Sequence, residues 1–160
     1  MAIKWDRFSP KALRSICEST RRLNIWHGAV RSSKTVSSIV RFLEFIATAP
    51  PGDILISGKT ERTVYRNILR PIQDIVGRGN FHYARNTGEC TIAGRLCYVA
   101  GANDERAEEK IRGMTLIGAY VDEATVLPES FFRMLGTRLS LPGAKMFVTT
   151  NPDSPFHWLY

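Results

Sequence analysis

Gly28-Ala29-Val30-Arg31-Ser32-Ser33-Lys34-Thr35 is the stretch on which the reading of this chain turns. Ahead of it, Leu23 to Trp26 is a short apolar run that predicts a buried strand. Behind it, Val36, Ile39, Val40, Leu43 and Ile46 recur at helical spacing until Pro50-Pro51-Gly52 ends the pattern. A loop that follows a strand, opens a helix and ends in Lys-Thr matches the phosphate-binding pattern G-x-x-x-x-G-K-[ST], with Ser33 in place of the second glycine. Backbone N–H groups and the positive end of the helix would hold phosphate oxygens, Lys34 would reach the β- and γ-phosphates, and the Thr35 hydroxyl would ligate Mg²⁺. The eight residues from Gly28 to Thr35 are therefore the candidate nucleotide-binding segment, with ATP and Mg²⁺ as its cofactors.

Two further strand ends carry polar groups. Leu116 to Val121 is a continuous apolar run that delivers Asp122-Glu123 to the carboxyl end of a buried strand, where open α/β sheets bind ligands. Asp122 would hold the Mg²⁺ shell, and Glu123 would orient and deprotonate the attacking water. An acidic pair ending a strand also serves simply as a turn. Lys145 to Val148 likewise runs into Thr149-Thr150-Asn151-Pro152, where Thr150 or Asn151 could hydrogen-bond the γ-phosphate or the water, or an Asn-Pro turn could merely end the strand.

The remaining segments alternate between helix and strand. Ser9-Pro10 reads as an N-cap opening a helix to about Arg22, with Leu13, Ile16 and Cys17 on one face. Ile54 to Ile56 is a buried strand, and a basic helix over Thr60 to Val76 must be kinked or interrupted at Pro71. Its Arg62, Arg66 and Arg70, spaced by four, would share a face that tracks DNA, meets a partner or is merely solvated. Glu89 to Ile92 and Arg95 to Val99 flank Ala93-Gly94 as a hairpin, Asn103 or Asp104 caps a charged helix to about Arg112, and Pro128 to Leu139 has helical spacing. Strands alternating with helices predict an α/β fold with a mostly parallel sheet covered on both faces.

Bulk properties narrow the class. At 160 residues, 44% hydrophobic and 23% charged, the chain suits one globular domain, 1–160, and no apolar run is long enough to span a bilayer. The three cysteines, Cys17, Cys90 and Cys97, form no CxxC pair and read as buried and reduced. A net charge of +7, mostly arginine, suits a nucleic-acid partner as well as many proteins that never touch DNA.

Taken together, GAVRSSKT, KIRGMTLIGAYVDEA and TRLSLPGAKMFVTTNP resemble the Walker A, Walker B and coupling motifs of tailed-phage large terminase subunits, with a likeness running from about Ser9 to the end of the chain. The resemblance implies a RecA-like P-loop ATPase with an extra catalytic glutamate, the N-terminal part of a DNA-packaging motor. Such a motor assembles as a homo-oligomeric ring on the portal protein of the procapsid in the host cytoplasm, drives double-stranded DNA inward and works with a small terminase subunit. By position, Arg31 is then the basic residue of the Walker A loop, Asp122 and Glu123 the Walker B pair, and Thr149, Thr150 and Asn151 the coupling motif. Arg112 matches an arginine that acts on a neighbouring subunit's nucleotide.

Three positions depart from the family pattern. Ser33 stands where glycine is usual, Ala12 where an adenine-reading glutamine is expected, and the nuclease domain and the last part of the ATPase domain would lie beyond Tyr160. No nuclease activity is expected of this chain, because its acidic residues are scattered or already assigned. Rival readings are a helicase-like DNA-remodelling ATPase and a catalytically silent assembly module with a degenerate loop.

Overall fold

The computed structural model describes residues 7–29, 32–103 and 106–160. Helix α1 (Pro10–Glu18) leads into β1 (Leu23–His27), α2 (Lys34–Thr48) and β2 (Asp53–Gly58). A broken helix follows, made of α3 (Glu61–Val64), a π-helical turn over Tyr65–Leu69 and α4 (Arg70–Val76). Then come β3 (Phe81–Ala84), β4 (Glu89–Ile92), β5 (Arg95–Gly101), α5 (Arg106–Arg112), β6 (Leu116–Val121), α6 (Glu129–Arg138) and β7 (Lys145–Thr150).

The strands form one sheet in the order β1-β7-β6-β2-β5-β4-β3. From β1 to β5 every neighbour is parallel, and β4 and β3 extend the sheet in antiparallel fashion. The step from β1 to β2 runs one way along the sheet, whereas β5 to β6 and β6 to β7 run back. Right-handed crossovers therefore put α2 on one face and α5 and α6 on the other. The α/β architecture with a mostly parallel, doubly covered sheet is as the sequence predicts.

The core explains why the two faces stay closed. β6 is buried along its whole length, and Phe42 and Phe45 of α2 lay their rings against Phe147 of β7 at 5.7 and 5.3 Å between centroids. Gly118 permits this approach, since a Cβ there would sit 2.4 Å from the Phe45 ring. In the hairpin, Ala93 and Gly94 both adopt left-handed backbone (φ 49° and 82°), the type I′ geometry that joins twisted antiparallel strands.

Three sequence expectations, on the length of α1, its buried face and the burial of β1, need correction. Helix α1 stops at Glu18, four residues before Arg22, because Ser15 and Ser19 turn their hydroxyls onto the carbonyls of Ala12 and Ser15. Its buried residue is Ala12, while Leu13 and Cys17 are exposed. β1 is half-buried, with Leu23 and Ile25 facing out, because it is the edge strand and only one side meets α2. The basic helix is interrupted near Pro71 as the sequence predicts: Pro71 has no N–H to offer the carbonyl four residues back, and the chain answers with a π turn in which the Arg70 N–H reaches Tyr65 O. The charged helix α5 begins at Arg106, and Asp104, one of its two expected caps, lies outside the described residues.

Candidate nucleotide-binding cleft

β7 lies between β1 and β6, so the ends of three adjacent parallel strands open on one edge of the sheet. A cleft of about 260 Å³ there is lined by Lys34, Thr35, Asn67, Asp122, Glu123, Thr149 and Asn151. The three segments singled out in the sequence thus converge, although 27 to 117 residues separate the bonded pairs that join them. Thr150 is buried beside them and its carbonyl accepts the Gly28 N–H at 3.3 Å. Val30 and Arg31 lie outside the described residues.

Lys34 opens α2 and folds back over its own loop. Its Nζ donates to Gly28 O at 3.1 Å, Ala29 O at 3.2 Å and Asn151 Oδ1 at 2.5 Å. An ammonium group thus stands at the helix N-terminus, held by three oxygen acceptors, where an anion is favoured. Ser33, the N-cap of α2, has φ 60° and ψ 9° and makes no side-chain capping bond. The position does require left-handed backbone, which costs a serine roughly 1–2 kcal/mol relative to glycine. Ser32 precedes it in a bend.

The acidic side is tightly held. Asp122 is only 5% exposed; its Oδ1 accepts the Thr149 hydroxyl at 2.8 Å, and its Oδ2 faces Asn67 Nδ2 at 3.5 Å. Burial lifts its pKa above the ordinary carboxylate value; Glu123 adds to that, whereas the bonds from Thr149 and Asn67 and the charge of Lys34 oppose it. Glu123 is likewise left-handed (φ 50°, ψ 56°), held by its N–H on Thr149 Oγ1 at 3.0 Å and by Val126 N on its carbonyl. Two non-glycine residues in strained backbone, Glu123 in the lining and Ser33 next to Lys34, mark this edge as a place where geometry outranks local stability.

Asn67 has no signature in the sequence. It reaches the cleft because the π turn rotates it inward from a helix that otherwise reads as basic. The proline at position 71 is the only signal, and it announces a break without its direction.

Arg112 is exposed at the end of α5, and its carbonyl accepts Arg138 Nη1 at 2.6 Å. Gly113 to Thr115 and then the six residues of β6, about 20 Å of strand, separate it from Asp122, so it lies toward the opposite end of the parallel strands. Among the described residues no ion pair joins it to Glu108 or Glu109.

On the outer side of the broken helix, Arg62, Arg66 and Arg70 do share a face. With Arg85, Glu61, Tyr65 and Tyr83 they line an open cleft of about 660 Å³. Tyr65 and Tyr83 stack at 5.8 Å, and the Arg85 guanidinium lies 4.8 Å above the Tyr65 ring.

A mostly parallel sheet with the loop strand set one strand away from the acidic strand defines a RecA-like P-loop NTPase fold. The chain belongs to the terminase large subunit family: residues 27–160 match the model for its T4likevirus-type N-terminal domain. The large terminase of the thermophilic bacteriophage D6E superposes with a TM-score of 0.81 at 25% identity, covering 96% of this chain and 41% of that one. Its complex with ADP gives 0.78 at 27% identity over 95% of this chain and 41% of that one. The ATPase domain of the Thermus phage P74-26 large terminase gives 0.63 at 15% identity, covering 92% and 66%, a likeness of fold alone. The chain thus spans well under half of the D6E protein. No curated protein matches it. No helix among the described residues is long and apolar enough to cross a membrane.

Proposed function

We propose that this domain binds ATP with Mg²⁺ in the cleft between α2 and the ends of β6 and β7, and hydrolyses it to drive double-stranded DNA into a procapsid. The observation that carries the reading is the convergence of Lys34, Asp122, Glu123, Thr149 and Asn151 on one sheet edge. The ADP complex of the D6E relative supports it.

The donor set fits magnesium. The Thr35 hydroxyl and the Asp122 carboxylate are hard oxygens of the kind that ion takes alongside phosphate and water. When bound, Mg²⁺ would neutralise charge on the phosphate oxygens. Lys34 leaves the Gly28 and Ala29 carbonyls and Asn151 Oδ1 for the phosphate, and Asn151 so released meets the γ-phosphate or the attacking water. Glu123 then takes the water's proton, with Thr149 fixing its backbone. Arg31 joins Lys34 on the phosphates. Thr150 ties the loop strand to β7, so that the Thr149 to Asn151 segment can pass a change at the γ-phosphate to the rest of the sheet.

Arg112 stands too far from its own cleft to act there and would enter a neighbour's in a ring, where such fingers contribute roughly 10³ to 10⁵ in rate. The arginine cleft would hold the phosphates of DNA. Portal protein and small terminase subunit are the further partners, the host cytoplasm at the procapsid is the setting, and DNA cleavage is not expected of this domain.

The test is turnover. Glu123→Gln should keep nucleotide affinity and lose ATP hydrolysis by about 10² or more, as removal of a general base does. Mixing it with Arg112→Ala in a co-assembled ring should restore some turnover, because each mutant retains what the other lacks. Equal turnover in parent and Glu123→Gln would remove Glu123 from its role. A silent assembly module is the second reading, favoured by the strained Ser33; it predicts no measurable affinity for ATP in the parent.

A further inference from the structure

The turn that follows Glu123 runs into a proline. Ala124–Val126 form a single 3-10 turn in which the Val126 N–H bonds the Glu123 carbonyl and the Leu127 N–H bonds the Ala124 carbonyl, each at 3.1 Å. The next bond of that series would reach the Thr125 carbonyl from position 128, which is Pro128 and has no N–H. The Thr125 carbonyl is nevertheless paired, with Nε2 of His157 at 2.8 Å, 32 residues further along the chain.

The other ring nitrogen decides where the proton of the neutral imidazole sits. Nδ1 accepts the Leu159 N–H at 3.1 Å, so Nε2 carries the hydrogen and donates it to Thr125. Trp158 steadies the ring: it lies 5.0 Å from His157 and packs on Phe132 of α6 at 5.1 Å. The segment is closed by Tyr160, whose hydroxyl accepts the Asp153 N–H at 3.4 Å and bonds Nε2 of His27, the last residue of β1, at 2.6 Å. Residues 151–160 thus form a strap that leaves β7 and ties the turn after β6 to the end of β1.

We infer that His157 is a positioning residue for hydrolysis: it supplies the donor that Pro128 lacks and so holds the turn from which Glu123 is aimed. This rests on the reading of Glu123 as the base that takes the water's proton. Glu123 needs such support because its backbone is left-handed, a conformation that persists in a non-glycine residue only where the surroundings over-determine it. Thr149 fixes the N–H that enters the turn, and His157 fixes a carbonyl that leaves it. The bonds that hold Lys34 and Asp122 do not pass through His157, so its loss acts on the rate and not on nucleotide binding.

Three substitutions separate the two bonds of the ring. His157→Ala removes both. His157→Gln keeps an N–H for Thr125 and gives up the acceptor for Leu159, whereas His157→Asn keeps that acceptor and falls short of Thr125. In ATP turnover by the whole chain, kcat should fall roughly 10- to 10²-fold for His157→Ala and His157→Asn, the scale on which a small misplacement of a catalytic group acts. KM for ATP and affinity for a fluorescent non-hydrolysable analogue should match the parent, and His157→Gln should recover most of the rate. Should His157→Ala fold poorly, the contrast between Gln and Asn carries the test. Equal kcat in those two variants, whether parental or reduced, would make His157 a support of the strap alone and overturn the inference. Glu123→Gln, measured alongside, tells the two levels apart. If it turns over like the parent, or the parent does not turn over, the reading of Glu123 falls and the inference with it; if it is inactive while every His157 variant keeps the parental rate, the inference alone falls.

Discussion

The two clefts flanking the broken helix are built on opposite principles. In the smaller one the charged groups are partnered: Lys34 has three acceptors and Asp122 two donors, and Glu123 in its wall and Ser33 beside Lys34 are held in strained backbone. In the larger one the arginines stand in solvent; the Arg66 guanidinium reaches Asn67 at 3.3 Å, and no ion pair to Arg62, Arg66 or Arg70 occurs among the described residues. Preorganised, low-dielectric sites do chemistry on a small charged group, whereas loose cationic faces follow a polyanion whose phosphates keep moving. The larger cleft is therefore the less preorganised of the two.

The contrast predicts separable damage. Replacing Arg62, Arg66 and Arg70 together by alanine should weaken double-stranded DNA binding by about 10²-fold, with nucleotide affinity untouched. The salt dependence should flatten as well, by roughly one unit of slope for every phosphate that an arginine no longer neutralises. Filter binding at several salt concentrations measures both, and an equal loss of nucleotide affinity would merge the two clefts into one site.

In the smaller cleft the partnered carboxylate carries a cost. The pKa of Asp122 is raised by burial, so the fold prefers it protonated. Ionisation of this residue lowers stability as the pH rises from the ordinary carboxylate value through the raised folded value. The cost vanishes below the ordinary value, where folded and unfolded chains both hold the proton. Asp122→Asn should therefore stabilise the nucleotide-free protein at neutral pH, with the gain fading in acid, while it weakens the Mg²⁺ contribution to binding. Urea titrations at neutral and acid pH decide this; a neutral-pH loss of stability would mean that the carboxylate is better compensated than its burial implies.

Ser33→Gly should relieve the left-handed N-cap and add about 1 kcal/mol of stability, along with equal or tighter nucleotide binding. A loss on both counts would show that the serine hydroxyl has a role its geometry does not reveal.

The smallest effect expected is on the thiols. Burial pushes Cys90 and Cys97 up to about 12, so a thiol reagent should label the exposed Cys17 and spare the other two in the native state.

What could be read from the sequence follows from the same contrast. β2, β6, β7, the hairpin and α2 were legible because each is a continuous periodic pattern bounded by turn residues, and the site was legible wherever it hangs from the ends of those patterns. Cys17, Leu13, Leu23 and Ile25 were misplaced because apolar periodicity reports a face without reporting whether anything covers it. Strand order depends on pairings between residues far apart in the chain, such as Leu23 with Met146, and was not readable at all. Asn67 and His157 were missed for different reasons: the first is aimed by a π turn that only a distant proline announces, and the second stands in an aperiodic segment and meets a carbonyl 32 residues away.

Titration of the protein with a fluorescent ATP analogue, with and without Mg²⁺, bears most directly on the central claim. The parent should bind in a Mg²⁺-enhanced manner, and Lys34→Ala should lose most of that affinity while keeping its thermal midpoint. Equal binding by Lys34→Ala and the parent would place the nucleotide elsewhere and contradict the account.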